Sequence, residues 1–215
     1  MSIEKIGIHP NITVIAEDQV SFQNLSAHRF GLNVIKPPGS EELPKEEDPT
    51  VFGSADYTRF INRRPRYIHH FIQQGLEVFF VDVDTYWFKD PYPFFEGVFD
   101  VAYPKDSPAL YNAGVGYYKP TNRTVAFLRC WIEILGTQRK LQQDQTVMNR
   151  LIKSKYVPHL SIRHLEGRNF PNAMIFFKSK RCKKNVTKVI LFHAAFLKNH
   201  GNKKDMFKQC NLWLL

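Results

Sequence analysis

Apolar and polar positions along the chain follow two periods in turn. Ile12-Thr13-Val14-Ile15-Ala16 and the segment from Leu32 to Ile35 are short apolar runs between polar residues, and they predict buried strands. Residues 37–50 are rich in Pro, Glu and Asp without periodicity, which predicts an exposed loop. Spacings of three and four then place Tyr57, Phe60, Ile61, Ile68, Phe71 and Ile72 on one helical face, with Ser54 as the cap and Gly75 as the stop. Pro65 interrupts that helix and predicts a kink or break. Val78 to Val81 is a continuous apolar run that suits a strand buried on both faces. Further strands are predicted at Asp100 to Tyr103, Gly114 to Tyr118 and Val186 to His193. A helix capped by Thr121 turns Val125, Leu128, Trp131, Ile132 and Leu135 inward and closes at Gly136; another covers residues 143–153. Strands alternating with helices predict the α/β class, in which ligands sit at the carboxyl ends of the strands.

The strand from Val78 ends in Asp82-Val83-Asp84, followed by the aromatic run Tyr86-Trp87-Phe88 and closed by Asp90-Pro91. Alternate side chains of an extended backbone share a face, so Asp82 and Asp84 can converge on one hard cation held together with substrate phosphates. Aspartates also follow strands merely as turn formers; the apolar run before them and the aromatic run after them make this context more specific. His193 ends another predicted strand, and the topology of such sheets lets Asp82, Asp84 and His193 meet in one crevice. Arg59, Arg63, Arg64 and Arg66 read as a solvated basic face, and Tyr86 and Trp87 as core aromatics.

Composition narrows the partners. The 215 residues are 43% hydrophobic, enough for one domain with a sizeable core, and the net charge of +10 favours anionic partners such as nucleotides. The basic residues are dispersed and accompany no recognition motif, so nucleic acid is not expected. No stretch approaches the roughly 18 to 20 apolar residues of a membrane span. Four Asn-x-Ser/Thr sequons, at Asn11, Asn24, Asn122 and Asn185, point to a glycosylated, lumenal protein. Three cysteines allow one intrachain bridge, for which Cys182 with Cys210 is the expected pair, and Cys130 reads as a buried thiol.

Taken in order, the segment from Gly75 to Pro91, Tyr111-Asn112-Ala113-Gly114, Thr121 to Thr124 with Trp131, Asp144-Gln145 with Asn149, Phe170-Pro171-Asn172, and His193 with the Lys-rich tail form a series. The series resembles the nucleotide-diphospho-sugar transferases, the GT-A glycosyltransferases similar to the arabinosyl-, xylosyl- and galactosyltransferases of glycosyltransferase family 77. The resemblance implies a Rossmann-like, mixed but mainly parallel sheet flanked by helices, in one domain that lacks its first strand-helix unit, since Met1 stands just before the segment that follows that unit. It implies a retaining, metal-dependent transfer from a UDP-sugar to a hydroxyl of a glycan or glycoprotein. Asp82, Asp84 and His193 would hold Mn²⁺ or Mg²⁺, and Asp82 and Asp84, with Gly201, Lys203 and Lys204, would face the nucleotide diphosphate. Asn112, Asp144 and Gln145 would lie at the sugar. It also implies a Golgi-lumenal enzyme, tethered to the membrane only by an anchor outside this chain. One departure concerns donor affinity: Ala195 stands where the family often has Asn, two residues after the His. Two alternatives remain. A non-catalytic, nucleotide-sugar-binding relative would keep the pocket without turnover. A phosphatase of the haloacid dehalogenase type also carries D-x-D after a strand, but here Tyr86 stands where that family wants Thr or Val.

Overall fold

The computed structural model describes residues 2–27, 31–45, 50–178, 186–197 and 199–214. The first part of the chain forms α1 (Ser2–Lys5), β1 (Thr13–Ile15), α2 (Gln19–Ala27), β2 (Asn33–Ile35), α3 (Ala55–Ile61) and α4 (Arg64–Ile72). The sheet-forming middle contains β3 (Val78–Val81), β4 (Thr85–Trp87), a 3-10 turn (Tyr92–Phe95), β5 (Val101–Ser107), β6 (Leu110–Tyr111) and β7 (Val115–Tyr118). Next come α5 (Asn122–Thr137), α6 (Asp144–Lys153), β8 (Ile162–Leu165), α7 (Ala173–Lys178), β9 (Leu191–His193) and α8 (His200–Gln209).

The central sheet has the order β3-β7-β5-β6, with β8 also pairing β5, while β1–β2 and β4–β9 form separate two-stranded ladders. The sheet is mixed, as expected, but antiparallel ladders are the more numerous among the described residues, where a mainly parallel sheet was expected. Only β1–β2 and β5–β8 run parallel, against β3–β7, β4–β9, β5–β6 and β5–β7. A short link explains one of these: Pro108-Ala109 joins β5 to β6, too short for the crossover that parallel neighbours require.

Alternation along the strands divides the core. Val78, Phe80, Val101, Tyr103 and Tyr118 face one layer with Ile68, Leu128, Trp131 and Met148 from α4, α5 and α6. Phe79, Val81, Ala102, Val115 and Tyr117 face the opposite layer, with Trp87, Phe95 and Ile3. Both faces of β3 are thus packed, although its residues are only half-buried. Tyr86 joins a third cluster around Phe176 and Phe192, so the aromatics after the aspartates are core residues, as read.

Pro65 divides the predicted helix in two. It occupies the first turn of α4, where its missing N–H costs nothing, and Asn62-Arg63 separates α4 from α3. Ser54 Oγ accepts from Tyr57 N at 3.1 Å, and Gly75, at φ +78°, turns the chain out of α4. Phe60 is exposed rather than inward, and α5 runs one residue past Gly136. The predicted strand before His193 is short: Val189 N closes a turn on Val186 O before β9 begins. Cys210 is disulfide-bonded and Cys130 is a free thiol; Cys182, its expected partner, lies outside the described residues. No helix among the described residues is long and apolar enough to cross a membrane.

Candidate functional site

The two aspartates sit in the link from β3 to β4, between two ladders that fix its ends: β3–β7 before it and β4–β9 after it. Asp82 N donates to Gly114 O at 2.7 Å, and Ala194 N donates to Asp84 O at 3.0 Å. Val83 between them is 97% exposed, so the two carboxylates share the opposite, inner side. His193 ends β9 directly across from Thr85. Its Nε2 lies 3.3 Å from Asp84 Oδ1 and 3.6 Å from Asp82 Oδ2, and one ligand atom from each of the three residues lies within 4.8 Å of the others. Gly114 makes this approach possible: a Cβ there would stand 2.3 Å from Asp82 Oδ2 and 2.5 Å from His193 Cε1.

Cations surround the pair. Lys203 Nζ lies 2.6 Å from Asp84 Oδ2, brought there by α8, which starts at its cap Asn199. Of the three tail residues, Lys203 alone among those described meets the aspartates. Lys204 stands over the Trp213 ring at 5.6 Å, and Gly201 lies in the first turn of α8 with only Asn199 Oδ1, at 3.5 Å, near its missing Cβ. Burial drives the Asp84 carboxyl upward, but hydrogen bonds and charge from His193 and Lys203 outweigh it and hold it well below the usual carboxylate range. For His193 burial favours the neutral ring, yet the hydrogen bond to Asp84 and the charges of Asp82, Asp84 and Asp106 raise its pKa above the ordinary value.

Arg64 corrects the sequence reading most. It is not part of a solvated face: only 11% exposed, it donates Nη1 to Asp144 Oδ2 at 2.6 Å and Nη2 to Asp82 Oδ1 at 2.9 Å. Its guanidinium also stands 5.2 Å from the Phe80 ring centroid. Nothing in composition separates it from Arg59, which pairs with exposed Asp56, or Arg63, which pairs with Glu17; Pro65, by starting α4 beside it, is the only local mark. Asp144 opens α6 at 1% exposure; burial raises its pKa, and the Arg64 charge limits the rise. Trp131 Nε1 donates to Asp144 O at 3.0 Å and fixes that helix end.

Asn112 and Gln145 brace the turn before β7. Asn112 Oδ1 accepts from Gly114 N at 2.8 Å, and Gln145 Oε1 accepts from Ala113 N at 2.8 Å. Both side-chain amides donate to Asp106, which sequence reasoning missed. It had a signal: the apolar run Val101 to Pro104 in β5 is followed, after Lys105, by this acid, much as β3 is followed by Asp82.

Comparison with known proteins places this geometry. The family model for nucleotide-diphospho-sugar transferases matches residues 7–207. The chain is 26% identical, over all its length and 65% of the relative's, to the UDP-D-xylose:L-fucose alpha-1,3-D-xylosyltransferase MGP4 of Arabidopsis thaliana. It is 22% identical, over 79% of this chain and 30% of the relative, to the UDP-galactose:fucoside alpha-3-galactosyltransferase of Dictyostelium discoideum. The chain therefore spans less than two thirds of either relative. The fold is that of the apo-form glycosyltransferase GlyE of Streptococcus pneumoniae TIGR4, at a TM-score of 0.56 and 17% identity over 89% of this chain and 48% of that one. A glycosyltransferase involved in glycosylation of the major capsid of PBCV-1 gives a TM-score of 0.52 at 10% identity, over 77% of this chain and 83% of that one.

Proposed function

Since the chain belongs to the nucleotide-diphospho-sugar transferase family, we propose that it moves a sugar from a UDP-sugar to a hydroxyl of a glycan or glycoprotein, with a divalent cation and with retention of configuration. The observation that carries this reading is the convergence of Asp82, Asp84 and His193 at the end of β3, with ligand atoms within 4.8 Å of one another. Two carboxylates and an imidazole suit Mn²⁺ or Mg²⁺, and the missing Cβ of Gly114 leaves the space that both Asp82 and His193 occupy. When bound, such an ion neutralises the diphosphate and stabilises UDP as a leaving group.

This chain's own groups supply the rest. Lys203, now resting on Asp84, gives a point charge to the diphosphate, and Gly201 and Lys204 belong to the same phosphate-facing tail. Arg64 holds Asp82 and Asp144 in fixed relation, so that the metal side and the sugar side keep one geometry. Asp144, Asn112 and Gln145 line the sugar side, Asn112 and Gln145 through the turn they brace. The relatives' names share UDP-sugar donors, fucose or fucoside acceptors and alpha products. An α-linked donor giving an α-glycoside means retention, and UDP-xylose and UDP-galactose with a fucose-bearing acceptor are the substrates to try first. Exposed Asn11, Asn24 and Asn122 suit N-glycosylation in the secretory pathway, in keeping with a lumenal, Golgi-resident enzyme; Asn185 lies outside the described residues.

Incubation with each UDP-sugar, acceptor and Mn²⁺ tests the reading by UDP release. Release that needs Mn²⁺ and is lost in Asp84→Ala supports it, and undiminished release from Asp84→Ala overturns it. Calorimetric binding of UDP and Mn²⁺ without transfer identifies a non-catalytic relative, and hydrolysis of p-nitrophenyl phosphate instead identifies a phosphatase.

A further inference from the structure

One carboxylate ties together three elements around the site. Asp106, near the end of β5, receives Asn112 Nδ2 at 3.0 Å on each oxygen, Gln145 Nε2 at 3.0 Å on Oδ2 and Asn172 Nδ2 at 3.3 Å on Oδ1. These amides come from the turn before β7, the first turn of α6 and the approach to α7. A carboxylate only accepts, so it compels each amide to present its NH₂ and to turn its oxygen away. The three oxygens are thereby aimed at backbone donors: Asn112 Oδ1 at Gly114 N, Gln145 Oε1 at Ala113 N, and Asn172 Oδ1 at Ile175 N at 3.0 Å. The first two hold Ala113-Gly114, the backbone against which Asp82 and His193 close. Asn172 itself bridges to His193, whose N–H donates to Pro171 O at 3.1 Å.

We propose that Asp106 is a positioning residue: by setting the orientation of three side-chain amides, it holds the Ala113-Gly114 turn and the His193 strand at the spacing in which Asp82, Asp84 and His193 bind one cation. The proposal rests on the metal-site reading above. Asn112 and Gln145 then act on the site through the backbone they hold, and Asp106 supports them without touching the metal.

The test measures Mn²⁺ binding to the full chain in the presence of UDP, by calorimetry and by the electron paramagnetic resonance spectrum of the bound ion. Asp106→Asn offers an NH₂ where the amides need an acceptor, and is expected to weaken Mn²⁺ about tenfold or more and to alter the spectrum. The exchange Asp106→Asn with Asn112→Asp keeps the charge, an acceptor for Gly114 N and an acceptor for Gln145 Nε2; it is expected to restore affinity and spectrum. If Asp106→Asn alone does not fold, the exchange variant decides: near wild-type binding supports the proposal. A single variant that binds Mn²⁺ like a binding wild type, or a folded exchange variant that stays as weak as the single one, overturns it. A wild type that binds no Mn²⁺ with UDP overturns the metal-site reading and this inference together.

Discussion

Alanine at Gly114 adds one methyl group at the point where both arms of the site meet. The new carbon would lie 2.3 Å from Asp82 Oδ2 and 2.5 Å from His193 Cε1, so each must retreat by about 1 Å to reach ordinary contact. The Gly114 φ lies outside the left-handed region, so the effect belongs to side-chain displacement and not to backbone strain. Overpacking of this kind costs about 1–3 kcal/mol of stability. If Asp82 and His193 hold one ion as proposed, moving both is expected to weaken Mn²⁺ about 10- to 100-fold, the scale found when ligand positioning is lost. Gly116→Ala is the control: its Cβ would stand 2.8 Å from Tyr103 Cε1 and 3.0 Å from the Tyr118 ring, a similar overlap within the core. Calorimetry of Mn²⁺ with UDP, beside thermal melts, should show both variants destabilised and only Gly114→Ala weakened for metal. Wild-type Mn²⁺ affinity in a folded Gly114→Ala protein would refute the argument that this glycine makes room for the ligands.

Three further perturbations follow from the charges. Arg64→Met removes the partner of Asp144 and leaves a buried carboxylate uncompensated, with an expected loss of about 3 kcal/mol in denaturant unfolding. Lys203→Met frees Asp84 Oδ2 and should tighten Mn²⁺ alone while weakening UDP, whereas Lys204→Met, one residue on and against Trp213, should leave Mn²⁺ alone near the wild-type value; calorimetry of each ligand separately reads both. Asp100 is buried; burial raises its pKa, but hydrogen bonds from Arg123, Thr121 and Ser161 N outweigh this and lower it. Its stabilising contribution is therefore complete above the unfolded value of about 3.9 and is lost as pH falls through the lower folded value. Thermal melts from pH 7 downward should show Asp100→Asn less stable than wild type at neutral pH, with the gap closing in the acid range.

The strand-then-acid pattern at Val78 to Asp84, the capped helix from Thr121 to Trp131 and the acid opening α6 were legible because each rests on periodicity or local backbone chemistry. Residue alternation alone was enough to place Asp82 and Asp84 on one side, and the ordered motifs were enough to pair them with His193. Strand direction was not legible: an apolar run looks the same in either orientation, and of the antiparallel pairs only β5–β6 has a link short enough to require that direction. Short polar elements such as α8 and β8 carry little periodic signal, and they form because the core they meet accepts them.

By itself, then, the sequence determined the α/β class and the acid-tipped strand with its paired carboxylates, all properties of residues near one another in the chain. The tertiary structure alone decided which of several similar charges act together. It chose Arg64 from a basic cluster, Lys203 from a Lys-rich tail and Asp106 from the many acids, because only folding fixes which long side chains are desolvated against which carboxylates. Charge and spacing name candidates; the distances among α4, α6, α8 and the end of β3 choose between them.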